Sequence, residues 1–253
     1  MEYKLSRFSN LRNDNYEWVG MDKKELFEKN CKKYPNNESL KYYKENPIKY
    51  SFNNFGFRTP DDFNDTDEGN IFLGCSHTMG IGHLLENTWA YKVNKEVGGK
   101  FWNLSQGGCG IQTDYRLLLG WKDTLKIKNI FHYTIPWPRY EFLNEKENIH
   151  LTAHTANIAK SYYLKFYLGV LSGEEYCNYN QKVHINAIRG LSQEIGCNYY
   201  YLTPEILGIH NNPRWYIGQG DDSLLARDLT HPTVGKQNYI YEKFLKIWEN
   251  ING

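Results

Sequence analysis

From Asn70 to the end of the chain, short apolar runs of strand length alternate with amphipathic stretches of helix length. "NIFLG" (Asn70–Gly74), "KFWNLS" (Lys100–Ser105), "IKNIFHYTI" (Ile127–Ile135) and "CNYYYLT" (Cys197–Thr203) read as buried strands. Between the first two, "HLLENTWAYKVNKEV" (His83–Val97) sets Leu84, Leu85, Trp89 and Val93 at helical spacing, and Gly98 and Gly99 close it as C-cap residues do. "TDYRLLLGWKDTL" predicts a second helix with Thr113 as N-cap, and further helices are expected over 151–171, over 173–195 and along "TVGKQNYIYEKFLKIWENI". Strands joined by helices of this length make βαβ units and a parallel sheet covered on both faces. The expected fold is α/β, one three-layer α/β/α domain over residues 67–253.

Residues 1–66 read differently. A short charged helix is expected over "MDKKELFEKNCKKY", and the stretch after it is dense in turn formers. This part is expected to be an irregular extension, either a small lobe or a strap across the main domain.

Composition excludes several function classes. Thirty basic residues against 29 acidic ones leave a net charge of +1, so no global field draws the chain to nucleic acid or to a membrane. Five widely spaced cysteines, without CxxC or CxxH spacing, fit neither a disulfide framework nor a structural zinc site. No cofactor or metal site is expected. His77, His83 and His132 lack acidic partners at ligand spacing and read as satisfied polar or core residues. No apolar leader opens the sequence and no run of 18 apolar residues occurs, which reads as a cytoplasmic protein; release by lysis or carriage on a particle fits the same sequence.

In parallel sheets of this kind, ligands bind at the carboxyl ends of the strands. Three such ends carry chemistry. "LGCSHT" puts Ser76 just past the first strand, "NLSQGGCG" puts Gly107, Gly108 and Gly110 past the second, and "RDLTHPTVG" brings Asp228 and His231 just ahead of the last helix. A serine hydroxyl needs a base within hydrogen-bond reach to act as a nucleophile, and a carboxylate on the far imidazole nitrogen fixes that base's tautomer. Asp228 and His231 stand three positions apart, so one turn can bring carboxylate and ring together. N–H groups at Ser76 and at a glycine such as Gly108 can then face a developing oxyanion.

These blocks also resemble those of a known family. "GCSHT", "NLSQGG" and "DLTHP" look like blocks I, II and V of the SGNH/GDSL hydrolases, over about residues 70–250, and "FNNFGFR" (Phe52–Arg58) resembles the N-x-x-G-F-R segment that precedes the first strand in a number of such proteins. The resemblance implies a flavodoxin-like sheet order and chemistry on ester or acyl groups. It makes Ser76 the nucleophile, His231 the base, Asp228 its orienting partner and Gly108 an oxyanion donor.

The sequence departs from the family pattern in two places. Cys75 stands where block I has its aspartate, and "YTIPWPRYEF" stands where block III supplies an asparagine as third oxyanion donor. Loss of one such donor typically slows an enzyme by a factor on the order of 10²–10³. Trp137 and Arg139 are the substitutes near that place. Both are carried as substrate-binding candidates together with Arg58, which alternatively anchors the N-terminal segment to the domain. Arg139 and Glu141 share a strand-end position. The expected activity is a serine esterase acting on an O-acyl ester of a small molecule or glycan. An O-acyltransferase with the same triad, and a non-catalytic glycan-binding or structural module, are the alternatives.

Overall fold

The strand residues alternate between two aromatic-rich cores, and that alternation builds the layers. In the computed structural model, which describes residues 3–64, 66–135, 138–143, 148–151, 167–207 and 223–252, four parallel strands form the central sheet. They are β3 (Glu68–Gly74), β4 (Lys100–Asn103), β5 (Lys126–Tyr133) and β8 (Asn198–Leu202), in the spatial order β4-β3-β5-β8. Ile71, Leu73, Trp102 and Ile130 point to one face and meet Leu117, Leu118 and Trp121 of α5 (Ile111–Trp121) and Ile185, Ile188 and Leu191 of α6 (Glu174–Ile195). Phe72, Phe101, Phe131 and Tyr200 point to the other face and meet Trp89, Ala90 and Val93 of α4 (Trp89–Val97) and Ile240 and Phe244 of α7 (Val234–Asn252). The period of two in a strand thus feeds both helix layers. The fold is the expected α/β/α sandwich, with the flavodoxin-like order 2-1-3-4 counted along these four strands.

From β3 the chain crosses first to β4 on one side and later to β5 on the other. The carboxyl end of β3 is therefore the topological switch point, where a crevice opens between diverging crossovers.

Side-chain amides pin the opposite end of the sheet. Asn70, Asn129 and Asn198 face one another on three adjacent strands. Asn129 Nδ2 donates to Asn70 Oδ1 (2.8 Å), and Asn198 Nδ2 donates to Asn129 Oδ1 (3.2 Å). Asn70 Nδ2 in turn donates to Asn94 Oδ1 (2.8 Å) and to the Gly98 carbonyl (2.6 Å).

Upstream of the sheet lie β1 (Asn15–Tyr16), α1 (Lys24–Lys33), α2 (Glu38–Glu45) and β2 (Tyr50–Ser51). β1 and β2 pair antiparallel. Val19, Tyr43, Ile48, Tyr50 and Phe52 from this region share a core with Met79 and Ile81, which follow β3.

Three element boundaries correct the sequence reading. The helix expected from His83 is a short 3₁₀ turn (Leu85–Asn87), and α4 starts only at Trp89, where Thr88 Oγ1 accepts the Tyr91 N–H (3.3 Å) as N-cap. Gly110, not Thr113, stands at the N-cap of α5; its carbonyl accepts the Thr113 N–H (3.0 Å), which puts Thr113 inside the first turn. In place of the start of a helix at 151, β7 (Asn148–Leu151) pairs antiparallel with β6 (Tyr140–Leu143). Residues 152–166 of that expected helix lie outside the described residues, and 167–171 form a π-helical turn. No helix among the described residues is long and apolar enough to cross a membrane.

Candidate active site

Gly74 ends β3 with φ +141, a backbone shape side chains rarely adopt, and a Cβ there would meet Thr78 Oγ1 and come within 2.6 Å of the Tyr133 carbonyl. The chain turns sharply through Cys75 into the single-turn helix α3 (Ser76–Met79). Ser76 is thus the first helical residue past the middle strand, at the switch point, and is 6% exposed. The Cys75 carbonyl accepts the N–H groups of Thr78 (3.1 Å) and Met79 (3.0 Å). The N–H of Ser76 makes no hydrogen bond within the described residues, nor does that of Gly108.

The loop after β4 lies alongside this turn. Gln106 N–H donates to the Gly74 carbonyl (3.1 Å), and the side of Gly107 where a Cβ would stand faces Met79 Sδ and Ile81 Cγ1, each 3.9 Å from that point. Gly108 has φ +76, which leaves its peptide free of steric strain only because it lacks a Cβ.

The third element is the loop before α7. Arg227 N–H donates to the Gly82 carbonyl (2.9 Å), so this loop packs against the segment that follows α3. Asp228 is 2% exposed and saturated with donors: Oδ1 accepts the N–H groups of Thr230 (3.0 Å) and His231 (3.2 Å), and Oδ2 accepts the Thr230 hydroxyl (2.6 Å). His231 Nδ1 lies 2.6 Å from the same Oδ2. Burial works to raise the pKa of this carboxyl, but the His231 charge and these hydrogen bonds outweigh it and hold it well below the ordinary range. With Nδ1 committed to Asp228, Nε2 is the nitrogen left for proton transfer. The His231 ring stands edge-on to His77, centroids 5.9 Å apart, and His77 is the residue next to Ser76.

A second Asp–His pair lies behind Gly74. Asp114 Oδ1 accepts the Gly74 N–H (3.0 Å), and Asp114 Oδ2 is 3.1 Å from His132 Nε2. His132 Nδ1 lies 2.9 Å from the Tyr199 hydroxyl, and the ring is fully buried. Both ring nitrogens are committed, so this pair braces the serine turn and has none left for a substrate. Sequence reasoning read His132 as a core residue and passed over Asp114.

His83 is committed through one ring nitrogen. Its Nε2 donates to the Pro232 carbonyl (2.7 Å), and burial pushes its pKa down to about 4, which keeps it neutral near pH 7. His77 is held well below the usual histidine value, first by burial and then by His231 and Arg139. Among the described residues, no group of three or more His, Cys, Asp or Glu side chains is placed to hold a metal ion.

Of the substrate-binding candidates, Arg139 lines a cavity of about 10 Å³ with Gly74, Cys75, Cys109, Tyr133 and Thr134. That is room for about one water-sized group. Trp137 lies outside the described residues. Arg58 does not reach the cavity wall. It is 1% exposed, donates through Nη1 to the carbonyls of Met79 (3.0 Å) and Gly80 (2.6 Å) and through Nη2 to that of His83 (2.8 Å), and lies over the Tyr50 ring. It shapes the turn after Ser76 from behind. Glu141 is spent on a buried bidentate pair with Arg116 (2.8 and 2.9 Å).

No family model matches the chain, and no curated protein does. Among solved structures, it is similar to an acetyl xylan esterase from the rumen bacterium Butyrivibrio proteoclasticus, with TM-score 0.37 and 11% identity over 74% of this chain. The matched part is 64% of the length of that structure.

Proposed function

We propose that the protein is a serine esterase of SGNH type that hydrolyses an O-acyl ester through an acyl-enzyme. The observation that carries this reading is the 2.6 Å contact between His231 Nδ1 and the buried Asp228 carboxylate, on a loop bonded to the segment after α3, with the His231 ring 5.9 Å from that of His77, the neighbour of Ser76. Ser76 Oγ attacks the ester carbonyl while His231 Nε2 takes its proton, and Asp228 stabilises the imidazolium. The N–H groups of Ser76 and Gly108 receive the oxyanion. Collapse breaks the bond to the alcohol oxygen, which leaves with the proton from His231. His231 then deprotonates a water that attacks the acyl carbonyl, and the proton returns to Ser76 as the acid departs. Arg139, on the cavity wall, is the residue assigned to the acyl side. The alcohol is proposed to be a carbohydrate hydroxyl. Residues 67–253 are the proposed catalytic domain, with 1–66 packed on it as an extension.

The test is hydrolysis of p-nitrophenyl acetate and butyrate by wild type, Ser76→Ala and His231→Ala, with fluorophosphonate labelling of each. Turnover and labelling by wild type alone are expected. A folded wild type that neither turns over nor labels, or a Ser76→Ala variant that still labels, sinks the esterase. The missing block III asparagine favours one other reading, a glycan-binding module on the same fold. That module predicts glycan binding undisturbed by Ser76→Ala and no turnover of any ester.

A further inference from the structure

We propose that Arg7 is a positioning residue for the oxyanion hole, aiming the Gly108 N–H by holding the carbonyl on the other side of the same peptide. The inference rests on the esterase reading. Arg7 Nη1 donates to the Gly107 carbonyl (3.1 Å). That carbonyl and the Gly108 N–H belong to one planar trans unit and point in opposite directions, so fixing one fixes the other. A guanidinium bond to a peptide oxygen is charge-assisted, and it also polarises the unit toward a stronger N–H donor.

The segment that delivers Arg7 is anchored residue by residue. Arg116, held through Nε and Nη2 by Glu141, uses Nη1 to grip the carbonyls of Tyr3 (2.7 Å) and Leu5 (3.1 Å). Trp121 Nε1 donates to the Lys4 carbonyl (3.3 Å), and Ser6 Oγ donates to that of Gly56 (2.6 Å). Arg7 N–H then donates to Gln106 Oε1 (2.9 Å), in the same loop as the peptide that its side chain holds. A Cβ on Gly108 would come within 2.9 Å of Arg7 Nη1, so the guanidinium occupies the space a side chain would need. Without the block III asparagine, the aim of the two backbone donors assigned to the hole carries more weight.

Arg7 is exposed, so replacing it leaves the core intact. The experiment is steady-state hydrolysis of p-nitrophenyl acetate by wild type, Arg7→Met and Arg7→Lys, and by Arg7→Ala with and without added guanidinium ion, each checked for an unchanged melt. For Arg7→Met, kcat is expected to fall about 10- to 100-fold with KM within about twofold. The acid limb of its pH profile stays in place, because the His231–Asp228 pair is untouched. Arg7→Lys falls between, and guanidinium ion restores Arg7→Ala but not Ser76→Ala. An Arg7→Met enzyme with wild-type kcat, or one changed only in KM, overturns the inference while leaving the esterase standing. A wild type with no Ser76-dependent turnover or labelling removes the esterase reading, and the role of Arg7 with it.

Discussion

Gly74 shows how one missing carbon sets the serine in place. Its positive φ and the closeness of Thr78 and the Tyr133 carbonyl leave no room for a methyl group. Gly74→Ala is expected to destabilise the fold by about 2–4 kcal/mol, combining backbone strain with overpacking. Urea unfolding measures this, and a loss under about 1 kcal/mol would mean that the turn can relax around the new atom. The pairing of Asp228 with His231 was legible in the sequence because a three-residue spacing makes it a local event. The Asp114–His132 brace was not, since its members sit on a helix and a strand that only the folded sheet brings together. Arg7 and Gly107 are a hundred residues apart, and no pattern links them before folding. The sequence leaves Arg58 as either a substrate-binding residue or an anchor, because its work on three carbonyls depends on where the Met79–His83 turn ends up.

At the level of elements, periodicity served best where a helix and its cap agree. Trp89 and Val93 fall on the buried face of α4, but Leu84 and Leu85, which extend the same pattern, lie before the Thr88 cap, and there they part: Leu85 still packs against the core of α4, whereas Leu84 packs against the N-terminal core. Thr88→Ala is expected to cost about 1 kcal/mol by leaving an N–H of the first turn without its acceptor. Guanidinium unfolding reads this directly, and a neutral result would show that water replaces the hydroxyl. β7 escaped notice because four residues of mixed polarity are too short to tell a strand from a helix start. α2 was hidden in a stretch dense in turn formers, where Asn37 in fact caps a helix by accepting the Leu40 N–H (3.0 Å).

Across the whole molecule, the N-terminal region and the acid–base loop are joined by a buried ion pair. Arg227, next to Asp228, donates to Asp22 through Nε (3.0 Å) and Nη2 (2.7 Å), and Asp22 also accepts the Tyr50 hydroxyl (2.5 Å), whose oxygen accepts the Gly82 N–H (2.8 Å). Arg227→Met strands the Asp22 carboxyl in the core, and a loss of about 3–5 kcal/mol is expected in urea unfolding. A loss under about 1 kcal/mol would show that Asp22 finds other donors. Acid acts on the same contact zone through His83. Unfolded, this histidine takes a proton near its usual 6.5, but in the fold only near 4, so stability falls as pH drops between those values. The loss attributable to His83 is on the order of 3 kcal/mol by pH 4. His83→Gln keeps a donor for the Pro232 carbonyl and should flatten the melting temperature between pH 7 and pH 4.5. An unchanged slope would place the sensitivity elsewhere, with His77 next in line. The rung of Asn70, Asn129 and Asn198 has a consequence of another kind. If β5 or β8 slid by one residue, its amide would turn to the opposite face of the sheet and lose its partners, at about 1–3 kcal/mol for each group left buried and unsatisfied. A sheet of interchangeable apolar strands tolerates such a slip, whereas here the rung works as a proofreading mark against mispaired sheets during folding.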